Sequence, residues 1–210
     1  MIIQRIIGGG NKAGKCLVMF EDGTNVNVSS AQIADFGLYP GLVLTDNEYS
    51  KLLNGIEVSS AKARAIRILG NRSLSASEVK KRLIRNGGSD EAAAETVAWL
   101  EETGLVDDAH YAGAIVRHYC AKGYGPAKLK GELHRRGIPR ELWDEHLGKL
   151  DGECFEPAID SFLEKKLKGS KQQADLRRAA DALKRRGHAY EQIREAIDRY
   201  LENNEEESEV

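Results

Sequence analysis

A chain of 210 residues with 41% hydrophobic and 30% charged residues is long enough for one or two cores and too charged for a membrane protein. No stretch approaches the roughly 18 to 20 consecutive apolar residues of a spanning helix, and MIIQRIIGGG meets glycine too soon for a secretory signal, so a cytoplasmic location without membrane contact is expected. Cys16, Cys120 and Cys154 are odd in number and widely spaced, which suits a reducing compartment better than a disulfide framework.

In chain order, the first sixty residues carry strand chemistry. IIQRII, CLVMF and TNVNV read as strands, with EDG at 21–23 as a hairpin turn. Between the first two, GGNKAGKC spells a phosphate-loop pattern from Gly9 to Lys15, but Cys16 stands where a magnesium-holding Ser or Thr belongs. The pattern also runs into a strand instead of a helix, so a turn is expected. Ser29 or Ser30 is placed to cap a short helix through QIADFGL, and Thr45 with Glu48 forms a capping box that opens another through EYSKLL.

From Ala61 to Leu201 the pattern is helical and repeats at an interval of fifty. Val79, Leu129 and Ala179 coincide, as do Leu83, Leu133 and Leu183; Gly87, Gly137 and Gly187; and Glu91, Glu141 and Glu191. In LIRNGG, LHRRGI and LKRRGH the leucine belongs to an apolar stripe, the basic residues complement the helix dipole, and the glycine ends the helix. New helices are expected at once, at Ser89 or with Pro139 in the first helical position. Upstream of each turn lies a further amphipathic segment, carrying Ala63, Ile66 and Leu69, then Tyr111, Ala114, Ile115 and Tyr119, then Ile159, Phe162, Leu163 and Leu167. Three helices per copy predict a mainly α fold. It consists of tandem three-helix repeats, each with a small core, in an elongated curved array behind a small N-terminal β-hairpin and helix module. The expected divisions are 1–60 for that module, 61–107, 108–152 and 153–202 for the repeats, and 203–210 for a disordered acidic tail.

Charge follows the same interval. The net charge is −2, yet 61–88 carries +7, 117–140 carries +6 and 165–187 carries +7, while 89–112 carries −7 and 141–163 and 188–210 carry −6 each. Solvated faces with exposed pairs worth roughly 0–1 kcal/mol account for one such alternation. Three in the same order suggest first and second helices that are basic, third helices that are acidic, and a basic stripe facing phosphates or an acidic protein groove. Its candidate contacts are Arg64, Arg67, Arg72, Lys80, Lys81, Arg82 and Arg85; then Lys128, Lys130, Arg135 and Arg136; then Arg177, Arg178, Lys184, Arg185 and Arg186. Lys81, Arg82 and Arg85 are expected to matter most.

Catalysis finds no support. His110 and His118 lie two turns apart, roughly 12 Å of rise, too far to share an ion unaided. No serine, histidine and acid set stands out, and no cofactor or metal is implied. A DNA-reading helix-turn-helix is an alternative, as is a helical protein scaffold. However, the helices after the glycines begin SDEAAAE, PRELWDE and YEQIREA, acidic where base edges would have to be met.

Over about 61–200 the chain resembles the RecX family of bacterial regulatory proteins. The resemblance rests on Arg72, Ser73, Glu78 and Leu83; on Gly104, Leu105, Asp107, Asp108, Tyr111 and Ala112; and on Gly123, Gly125, Leu129, Leu133, Arg136, Gly137 and Ile138. It implies three-helix repeats that bind RecA and lodge in the groove of its filament on single-stranded DNA. Filament growth, ATP hydrolysis and strand exchange would be inhibited, within homologous recombination, DNA repair and the SOS response. It further implies a non-enzymatic monomer with at most weak direct DNA binding. The third copy departs from the pattern, and the first sixty residues exceed the shorter members.

Overall fold

The computed structural model describes residues 1–8, 14–148 and 155–206. Gly9 of the phosphate-loop pattern, Cys154 and residues 207–210 lie outside them. The described chain is mainly α, as expected, with ten helices and one three-stranded antiparallel sheet. It divides into two compact units, 1–72 with 79–103, and 73–78 with 104–210.

In the first unit, β1 (Ile3–Gly8), β2 (Lys15–Phe20) and β3 (Asn25–Ser29) pair in sequence order. The EDG turn forms as read: Gly23 takes φ +86°, and the Phe20 amide donates to Thr24 O at 2.8 Å. After Lys15 the chain is a strand, not the helix that a phosphate loop requires. Ser29, rather than Ser30, caps α1 (Ser30–Asp35) in a box with Gln32. Thr45 and Glu48 form the second box, opening α2 (Asp46–Leu69). That helix runs unbroken for 24 residues, so the division expected at residue 60 falls inside it. Its one internal glycine is occupied differently: a Cβ at Gly55 would meet the Phe36 ring at 3.0 Å, and Gln32 Nε2 donates to Gly55 O at 3.0 Å, so α1 clamps onto α2 there. Ile3, Val18, Phe20, Val28 and Leu52 form the core beneath, with Tyr49 edge-on to Phe20 at 5.3 Å. The unit also holds α4 (Asp90–Glu102), packed on α2, where Lys62 Nζ lies 4.9 Å from the Trp99 ring centroid. Helix α3 (Ala76–Arg85) precedes it.

The second unit contains α5 (Asp108–Ala121), α6 (Pro126–Arg135) and α7 (Glu141–Leu147), then α8 (Glu156–Leu167), α9 (Gln173–Arg185) and α10 (Tyr190–Glu206). Each triplet packs pairwise. Their apolar stripes do not make separate cores: Ala112, Leu129, Leu133, Ile159, Leu163, Leu183 and Tyr200 belong to one cluster that the two triplets share. Two local differences follow from backbone geometry. Pro139 precedes the first turn of α7 instead of entering it, its carbonyl accepting from Leu142 N at 3.2 Å. Helix α10 continues to Glu206, into the stretch read as a disordered tail, with Asn204 Nδ2 donating to Tyr200 O at 2.8 Å.

Candidate partner-binding surface

The three glycine turns are one structure built three times. After α3, α6 and α9 the glycine adopts positive φ, +85° at Gly87, +67° at Gly137 and +93° at Gly187. The next amide then reaches back to the buried leucine's carbonyl: Gly88 N to Leu83 O at 3.0 Å, Ile138 N to Leu133 O at 3.2 Å, and His188 N to Leu183 O at 3.3 Å. Each turn delivers its basic residues to the end of a middle helix.

Those residues divide into two groups. Arg64 Nη1 donates to Asn86 O at 3.1 Å, closing the first turn. Arg136 is largely buried against Glu78, Glu132 and the Tyr111 hydroxyl. Arg186 stacks on Phe162 at 4.5 Å and on Tyr124 at 5.9 Å. These three hold the fold. Lys80 pairs with Asp90 at 3.0 Å, Arg178 with Asp175 at 3.3 Å, and Lys128 and Arg135 both pair with Glu132. Burial alone would raise the Glu132 carboxyl, but hydrogen bonds from Arg135 and Tyr119, with the Arg135 and Lys128 charges, hold it below its ordinary value. Arg67, Arg72, Lys81, Arg82, Arg85, Lys130, Arg177, Lys184 and Arg185 make no ion pair with a described residue, and all are exposed but Arg82, which is half-buried.

Helix boundaries also correct the charge order. Helix α8 carries Glu156, Asp160 and Glu164 against Lys165 and Lys166, so the first helix of the third copy is not basic. Positive charge sits instead on the middle helices and their turns. The acidic third helices stand as expected, α4 and α7 carrying Asp90, Glu91, Glu95, Glu141 and Asp144.

Several residues of the sequence pattern join one repeat to the next. Ser75 caps α3: its Oγ accepts from Glu78 N at 3.1 Å and donates to Arg136 O, and Glu78 Oε2 accepts from Ser75 N at 3.2 Å. Asp107 caps α5 by accepting from His110 N at 2.8 Å, while Asp108 Oδ1 accepts from Ala76 N at 2.9 Å. Burial pushes the Asp108 carboxyl above its ordinary value; the Ala76 bond opposes this, and Asp107 and Glu78 add to it. Fifty residues on, Gly125 N donates to Arg186 O at 2.9 Å and Ala127 N to Gly187 O at 3.1 Å. The start of α3 thus meets the end of α6, and the start of α6 the end of α9. The sequence pattern singles out Ser73 and misses Ser75, although Ser75-x-x-Glu78 before Val79 spells a capping box. Among the described residues, no group of three or more His, Cys, Asp or Glu is arranged to hold a metal ion, and no helix is long and apolar enough to cross a membrane.

Residues 107–147 match the family model described as RecX, second three-helix domain, a span that takes in α5, α6 and α7. A regulatory protein RecX of Xanthomonas axonopodis pv. citri (strain 306) is 35% identical over 136 residues, covering 63% of this chain and 83% of that protein. A second, from Stenotrophomonas maltophilia (strain R551-3), is 37% identical over 134 residues, covering 63% and 82%. A crystal structure of a regulatory protein RecX superposes with a TM-score of 0.74 at 18% identity over 94% of this chain and 98% of that one. RecX from Lactobacillus salivarius superposes with 0.62 at 19% identity over 68% and 96%. The fold is shared with both structures, and the sequence relatives are covered over most of their length: the chain belongs to the RecX family of regulatory proteins.

Proposed function

We propose that this chain is a non-enzymatic regulator that binds RecA and its filament on single-stranded DNA, lodges in the filament groove and inhibits ATP hydrolysis and strand exchange. Membership of the RecX family supports the choice of partner. The observation that carries the binding surface is that each middle helix bears exposed cations with no ion pair to a described residue, Lys81 and Arg85 on α3, Lys130 on α6, and Lys184 and Arg185 on α9, with Arg85 and Arg185 at the same place in their repeats. Long-range attraction from such a surface steers a partner of opposite sign and aligns it. A sequence-reading role on duplex DNA is disfavoured, because α4 opens with Asp90 and Glu91 where a recognition helix would meet base edges. The charge-reversed variant K81E/R82E/R85E tests the reading, with ATP hydrolysis by RecA on single-stranded DNA as the assay. A half-inhibiting concentration raised by about tenfold or more is expected. An unchanged value, with unchanged circular dichroism, would show that these cations do not form the contact.

A further inference from the structure

A cavity of about 400 Å³ lies in the first unit, where the end of the β2–β3 ladder meets the middle of α2. Its wall comes from two sources. The sheet contributes Lys15, Ser29 and Asn27, Lys15 and Ser29 being direct partners across the ladder and Asn27 lying two residues along the same strand. Helix α2 contributes Ser60, Arg64 and Arg67, spaced three and four residues apart and so on one face.

Among the described residues, three cations and no carboxylate line this space. Among the described residues neither Lys15 nor Arg67 takes part in an ion pair, and both are exposed. Arg64 is anchored by its bond to Asn86 O, and its Nε is buried without a partner, so it contributes a fixed positive wall. Ser29 and Gln32 are committed to each other in the α1 capping box, which leaves Ser59, Ser60 and Asn27 as the other uncharged polar side chains among the described lining residues. Like charges lining one cavity repel one another, and an anion seated among them relieves that repulsion. A cavity of this size suits a ligand of nucleotide dimensions. Charge concentrated at a point suits the near-dianionic phosphate of a monoester, whereas a polynucleotide spreads single charges along a line.

We propose that this cavity binds the phosphomonoester of a nucleotide-sized small molecule. Lys15 and Arg67 donate to the phosphate oxygens, Ser60 and Asn27 meet the polar part of the remainder, and Arg64 supplies the positive wall. Calorimetric titration of the full chain with AMP, with inorganic phosphate and with a single-stranded oligonucleotide lacking terminal phosphate tests the assignment. AMP is expected to saturate one site more tightly than phosphate and to keep it in the presence of the oligonucleotide. Lys15→Gln and Arg67→Gln, both at exposed positions, should each weaken AMP binding about tenfold with unchanged circular dichroism. The proposal is overturned if AMP gives no saturable heat at about millimolar concentration. It is equally overturned if both variants bind AMP like the parent, if phosphate binds as tightly as AMP, or if the oligonucleotide displaces AMP.

Discussion

His188 stands one residue past the third glycine turn, at the place that Ile138 holds in the second, and like Ile138 it is buried. Its Nε2 lies 3.1 Å from Gly123 O; a carbonyl only accepts, so that nitrogen carries the proton and Nδ1 is bare. Nδ1 is buried with no partner, and the Phe155 ring lies edge-on at 6.1 Å. Burial lowers the pKa below its ordinary value of 6.5; the Gly123 bond opposes this, and the Arg186 charge adds to it. A histidine kept neutral in the fold binds its proton more readily when unfolded. Its contribution to stability is therefore full above the ordinary value and is lost as pH falls from there toward the lowered one. The urea midpoint should drop between about pH 7.5 and about pH 5.5, and His188→Ile, taking the residue of the second copy, should flatten that drop. An equally steep drop in the variant would assign the pH dependence to other groups.

At the scale of elements, the middle helices are held by what their first and last turns touch. A Cβ on Gly125 would collide with the carbonyl oxygen of Gly187 and come within 2.5 Å of His188 N, so helix α6 begins where only glycine fits. Gly125→Ala is expected to cost about 1–3 kcal/mol, read as a lower urea midpoint, because backbone must move on both sides. Ser75→Ala removes the α3 cap and the bond to Arg136 O together, a loss of about 1–2 kcal/mol by the same measurement. Much of this scale was legible in the sequence. Leucine, basic residues and glycine recurring at fifty residues specify helix, end and turn by local rules, as do the Thr45 and Glu48 box and the EDG hairpin. The destinations of the arginines were not legible. Arg136 and Arg186 directly follow Arg135 and Arg185 in sequence, yet they turn inward to Tyr111 and Phe162, and only packing between distant helices decides that. That Lys15 and Arg67 line one cavity was hidden for the same reason, since nothing local relates a strand end to a helix face fifty residues away.

For the whole molecule, a net charge of −2 conceals segments of +7 and −7, so binding should respond to salt far more than the net value suggests. The half-inhibiting concentration for RecA ATP hydrolysis is expected to rise about tenfold or more between roughly 50 and 200 mM salt, and an apolar contact would leave it nearly flat. The joint between repeats carries one further consequence. A joint in which the head of one repeat receives the tail of the next is the geometry from which open-ended filaments grow. Here both terminal places are already filled. Asn86 O, the counterpart of the carbonyls of Arg136 and Arg186, is taken by Arg64 of the same chain. At the other end α9 starts early, so Asp175, the counterpart of Ser75 and Gly125, lies within its first turn and accepts from Ser170 Oγ at 2.8 Å. At the two outer places, the groups that correspond to the joint between repeats are therefore engaged by their own repeat.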